Sequence, residues 1–224
     1  MRNIQYTFLL ALISGISIQS CNVTDSSDTK QVTLEQPNNP PKKEQTFDEY
    51  KMEQLNSGVR KDTIIDNLVF GMSQNQVSQV LNKLKRNKKV KSFAPNEDNR
   101  IILAEYEIGV KNYITTGVMQ LLFYKNEMFK CVLMFREKSM SVSLSTFAED
   151  FQYEFEQSMG PHKFSQQSLG GTAYQWAKGN QSITIGQMLD PNDPYYFIEY
   201  EDNNRYEEAG RAVQEEVNQK KPKY

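Results

Sequence analysis

The chain has 224 residues, 38% hydrophobic and 24% charged, and its 26 basic and 28 acidic side chains leave a formal charge of −2. That balance excludes a strongly basic nucleic-acid binder and a highly charged disordered chain, and a mean hydropathy of −0.67 excludes a multi-span membrane protein. One His and two Cys cannot by themselves build a zinc site or a disulfide scaffold, so no metal or cofactor is expected.

Residues 1–20 carry Arg2 as a positive start, Phe8 to Ile13 as an apolar centre, and no acidic side chain before Asp25. This is the pattern of a secretory signal, and it is shorter than the roughly 20 apolar residues of a membrane span. Ile18-Gln19-Ser20-Cys21 resembles a bacterial lipobox. The resemblance implies cleavage before Cys21, acylation of its sulfur and amine, and a membrane anchor. Each buried lipid CH₂ contributes about 0.8 kcal/mol, and several acyl chains together hold a protein stably. Asn22, in place of Asp after the Cys, implies the outer membrane by the same resemblance.

Residues 21–45 hold few apolar side chains and the run Pro37-Asn38-Asn39-Pro40-Pro41. They cannot bury enough surface to offset their ordering entropy, which predicts a disordered tether. The folded unit is expected over residues 46–219. Thr46-Phe47-Asp48-Glu49 reads as a capping box opening a helix near 47–56, and Asn56-Ser57-Gly58 ends it. Ile64 to Phe70 is apolar and leads to Gly71-Met72. Ser73 with Gln76 opens a second helix, over 74–86, with Val77, Val80, Leu81 and Leu84 on one stripe.

Three strands follow: Ile101–Ile108, Val118–Tyr124 and Met128–Arg136, the last two joined by a hairpin at Lys125-Asn126-Glu127. Alternation puts Phe129, Cys131, Leu133 and Phe135 on one face of the third. The pattern then repeats. Leu144, Phe147, Ala148, Phe151, Phe155 and Met159 fit one helical stripe, stopped by Gly160-Pro161. Ala173–Lys178, Ser182–Met188 and Tyr195–Glu201 read as strands, with turns at Gly179-Asn180 and over Pro191 to Pro194. A last helix is expected over about 204–219, with Tyr206, Ala209, Val213 and Val217 on one side, before a basic tail at 220–224. The predicted class is α+β: two helix-plus-three-strand halves, about 60–141 and 142–202, sharing one antiparallel sheet. Helices pack on one face of it, and a C-terminal helix follows.

Phe70-Gly71-Met72-Ser73-Gln74-Asn75-Gln76-Val77 with Leu81 resembles the opening of the small outer-membrane lipoproteins called SmpA/OmlA or BamE. Their short domain is a helix pair followed by three antiparallel strands. Doubling that unit resembles the beta-lactamase inhibitor protein fold. Tyr174-Gln175-Trp176 and Gly179-Asn180 resemble the late strands of lipoproteins from Bacteroidota. The resemblance implies the fold and an envelope location. Lys83 to Lys91 stands where those lipoproteins carry Gly-x-Pro, and no partner-binding residue of theirs is recognised here.

With Cys21 acylated, Cys131 has no partner in the chain and reads as a small core residue. His162, the only His, follows a helix stop, and no Gly-x-Ser-x-Gly elbow supplies a nucleophile. Asp190-Pro191-Asn192-Asp193-Pro194 lacks calcium-loop spacing and reads as a turn. Lys83, Lys85, Arg86, Lys88, Lys89 and Lys91 form a basic run at a helix C-terminus, where cations suit the dipole; it also suits an anionic surface or an acidic partner. Tyr174, Trp176, Tyr195, Tyr196, Phe197 and Tyr200 crowd the late strands, as core or as a partner surface.

The partner-binding candidates are Tyr174, Trp176, Tyr195, Tyr196, Lys88 and Lys89. Charge divides unevenly, with 14 basic and 8 acidic residues over 60–141 against 3 and 11 over 142–208. The expected function is a non-enzymatic, lipid-anchored envelope protein that binds a protein partner, reaches the membrane through Cys21, and binds no nucleic acid. Two alternatives stand beside it: a binder of a small molecule, glycan or peptide, and a hydrolase around His162.

Overall fold

A computed structural model describes residues 45–96, 100–168, 171–190 and 192–219. The signal segment, Cys21, the tether up to residue 44 and the tail at 220–224 lie outside the described residues. The elements run α1 (Phe47–Asn56), α2 (Gln74–Arg86), β1 (Val90–Pro95), β2 (Ile101–Val110), β3 (Tyr113–Tyr124), β4 (Glu127–Arg136), α3 (Leu144–Met159), β5 (Phe164–Ser168), β6 (Gly171–Lys178), β7 (Gln181–Met188), β8 (Tyr195–Asp202) and α4 (Asn203–Gln219). The chain is α+β, and its eight strands form one antiparallel sheet in the order β1-β2-β3-β4-β8-β7-β6-β5.

Local chemistry places the helices where the sequence predicts them. Thr46 and Ser73 each close a full capping box, and the Ser143 side chain accepts the Thr146 N–H. Gly160 ends α3 at φ +83°, a left-handed conformation that Gly adopts without a Cβ clash. Lys125 and Asn126, both at positive φ, make the two-residue turn between β3 and β4.

Each half contributes four strands, not three. β1 (Val90 to Pro95) hides its strand character behind Lys91, Pro95 and a register shift between Val90 and Phe93. β5, Phe-Ser-Gln-Gln-Ser, carries no apolar alternation at all. Both are edge strands, where only one neighbour must be satisfied and side chains need not be apolar.

The helices do not share one face. On the inner face, Val77, Leu81 and Leu84 of α2 and Phe147, Phe151 and Phe155 of α3 join the core. Phe147 meets Phe135 and Tyr196 at ring distances of 5.3 Å, and Phe155 meets Trp176 at 5.0 Å. α1 and α4 lie on the outer face. Phe47 and Tyr50 pack on Phe164, α1 runs along β6, and Tyr206 of α4 sits on Phe129. α1 buries no residue of its own, so it serves as a partial cover.

Phe129 also leaves its expected face. A bulge opposite Leu122 and Phe123 inserts one extra residue in β4. Cys131, Leu133 and Phe135 stay in the core, while Phe129 turns out to Tyr206 beside Lys130, whose ammonium lies 5.1 Å from that ring. The bulged stretch is tied to the start of α2 by the bonds Gly71 N to Met128 O and Met128 N to Met72 O, 2.8 and 2.9 Å.

Candidate functional site

The six residues singled out from the sequence do not converge. Tyr174 and Trp176 on β6 and Tyr196 on β8 point to the inner face, whereas Tyr195 points to the outer one. Lys88 and Lys89 follow α2 beside β1, at the far side of the sheet. Tyr196 is 2% exposed and packed against Phe147 and Phe151, so it belongs to the core and is no partner contact. Trp176 is 6% exposed, and its Nε1 donates to the Gly160 carbonyl at 3.0 Å. Tyr174 packs on His162, the tilted rings 4.7 Å apart. Lys88 is exposed at φ +62°, and Lys89 reaches Asp66 at 2.7 Å.

His162 pairs with a carboxylate of the last turns of α3. Its Nδ1 lies 2.7 Å from Glu156 Oε1, and that bond holds the Glu156 carboxyl below its usual range. Its other recorded neighbours are the rings of Tyr174 and Trp176. Cys131 is fully buried, and desolvation pushes its thiol far up. Asp190 accepts the N–H groups of Asn192 and Asp193, which is turn chemistry. Among the described residues, no group of three or more His, Cys, Asp or Glu side chains is placed to hold a metal.

Two features escaped sequence reasoning, an outer-face zone and a cleft at the end of β6. The first is an apolar zone beyond the reach of single-strand patterns. Leu103, Val118, Val132, Met134, Tyr195 and Phe197 all project outward from β2, β3, β4 and β8, and each is half-buried. Val118 pairs with Met134 and Met134 with Phe197, so the zone runs unbroken across the junction of the halves. The signal was present: Ile101-Ile102-Leu103 and Val132-Leu133-Met134 are continuous apolar runs, a pattern of strands apolar on both faces.

The second is a cleft of about 270 Å³ where β6 ends, lined by Tyr50, Gln54, Met159, Pro161, Lys163, Trp176, Ala177, Lys178, Gln181 and Ile183. Phe164 pairs with Gln175, so no β5 residue pairs with Trp176, Ala177 or Lys178. α1 and the end of α3 wall the gap. Lys61 lies against one of the lining residues, its ammonium 3.8 Å from Met159 Sδ. Burial lowers its pKa, and the nearby Lys178 charge lowers it further.

The outer face also carries a partly buried ionic cluster. Lys130 Nζ lies 2.9 Å from Glu199 and 3.2 Å from Glu201, and Lys51 of α1 adds a 3.6 Å contact to Glu201. Burial opposes the Lys130 charge, but the two carboxylates outweigh it and raise its pKa. Burial raises the Glu201 pKa, and Lys130 opposes that rise. The cluster pins α1 and α4 to the sheet.

Comparison with known proteins returns no match to a family model, a curated protein or a solved structure. No helix among the described residues is long and apolar enough to cross a membrane.

Proposed function

We propose that this chain is a lipid-anchored cell-envelope protein, most simply of the outer membrane, whose sheet domain is a non-enzymatic docking module for an envelope protein. The observation that carries the docking role is the outer-face zone of Leu103, Val118, Val132, Met134, Tyr195 and Phe197. Contiguous half-open apolar surface of this kind, rimmed by Glu105, Arg136 and Thr116, is what protein interfaces present. The lipobox-like Ile18 to Cys21 and the polar tether supply the anchor. A flexible chain of about 24 residues spans roughly 25–30 Å, enough to let the domain stand off a bilayer.

Two measurements test the reading. A photo-crosslinking amino acid at Val118 or Phe197, in intact cells, is expected to capture one envelope protein that is not captured from the buried Phe151. The same mixture of adducts from all three positions would remove the docking role. A Cys21→Ala variant is expected to lose lipid labelling and leave the membrane fraction, and retention would remove the anchor.

A further inference from the structure

The acidic half of the chain contains three basic residues over 142–208: Lys163, Lys178 and Arg205. Arg205 is bound to Glu127 and Asp202. Lys163 and Lys178 both line the cleft at the end of β6, and neither pairs with a carboxylate among the described residues. Lys61, brought in from before α2, lies against Met159, which lines the cleft. The fold therefore gathers two lysines into the lining of the cleft, with Lys61, more than a hundred residues earlier in the chain, against a third lining residue, and no carboxylate pairs with them among the described residues. Lys178 lies close enough for its charge to act on Lys61, and an anion between them is attracted by both. The remaining lining is apolar and aromatic, from Tyr50, Met159, Pro161, Trp176 and Ile183.

We propose that this cleft is a binding site for a small organic anion, a phosphate or carboxylate carried on a flat apolar body. The lysines take the anionic group. Trp176, Tyr50 and Pro161 take the body. A volume of about 270 Å³ limits the occupant to a compact molecule, below drug size. The Lys61 desolvation described above supports this, because the approach of an anion restores what burial removes. The site lies apart from the apolar zone of the outer face, so it stands or falls independently of the docking role.

Trp176 is the single Trp of the chain and lines the cleft, so its fluorescence reports occupancy directly. The test titrates phenyl phosphate into the purified full chain, with calorimetry as a second readout that does not depend on the ring. Saturable binding with half-saturation at or below about 1 mM is expected. Inorganic phosphate, which lacks the ring, and phenol, which lacks the charge, are each expected to bind at least about tenfold more weakly. Lys163→Gln combined with Lys178→Gln changes two exposed side chains and is expected to keep its circular dichroism while losing about tenfold in affinity. No saturable signal by either readout up to about 10 mM, phenol binding as tightly as phenyl phosphate, or unchanged affinity in the double variant would each overturn the proposal.

Discussion

Tyr106 and Tyr196 are both sealed in the core, yet their hydroxyls fare differently. The Tyr106 hydroxyl donates to Asp66 Oδ2 at 2.6 Å, whereas the Tyr196 hydroxyl meets no hydrogen-bonding group among the described residues. A buried bond lost on one side leaves its partner desolvated, while removing an unsatisfied group removes a penalty. Tyr106→Phe is therefore expected to cost about 1–3 kcal/mol in urea unfolding, and Tyr196→Phe to leave stability unchanged or raise it by about 1 kcal/mol. A comparable loss in both would contradict this account. Glu156 gives a pH test at the same scale. His162 holds its folded pKa below the ordinary 4.5, so the stability it contributes is complete above pH 4.5 and is lost as pH falls through the folded value. Carbon-detected titration of Glu156 is expected to move back toward 4.5 in His162→Ala.

At the scale of elements, caps and stripes carried most of the information. Ser73 with Gln76, and the stripe from Leu144 to Met159, define α2 and α3 because capping and helical periodicity are local properties. The edge strands β1 and β5 escaped because their polar, irregular sequences meet no local rule. The outward turn of Phe129 escaped because a bulge shifts the alternation by one residue, and only the register with β3 reveals it. Gly179 shows a turn whose residue choice is set from outside. It sits at φ +60°, and a Cβ there would fall 2.2 Å from the Val59 carbonyl oxygen. Gly179→Ala is expected to lower the unfolding free energy by about 1–3 kcal/mol, more than the roughly 1 kcal/mol of a solvent-facing Gly turn. Phe151→Ala, which empties the ring stack between Phe147, Phe155 and Tyr196, is expected to cost about 3–5 kcal/mol in the same measurement.

The whole molecule turns on the β4–β8 pairing, seven residue pairs from Lys130↔Glu201 to Arg136↔Tyr195 that weld two halves into one sheet. The unlike charges of the halves meet there, since Lys130 of the basic half is enclosed by Glu199 and Glu201 of the acidic half. Lys130→Met leaves two carboxylates facing each other with Lys51 as their remaining nearby cation. It is expected to destabilise the fold by about 3 kcal/mol, a loss that Glu199→Gln with Glu201→Gln partly restores in the triple variant. Additive losses would show that the pairing does not weld the halves.

The sequence by itself determined the α+β class, the four helices, six of the strands and the repeat of the pattern, together with the signal-like start and the polar stretch after it. All of these rest on interactions within a few residues of one another or on composition. Only the tertiary structure decided which face each helix covers, the fourth strand of each half, the burial of Tyr196, and the meeting of Lys61, Lys163 and Lys178 beside Trp176. Those outcomes depend on strand order and register. Neither is encoded in the chemistry of any one segment, because each arises from which other segment satisfies its hydrogen bonds and covers its apolar side.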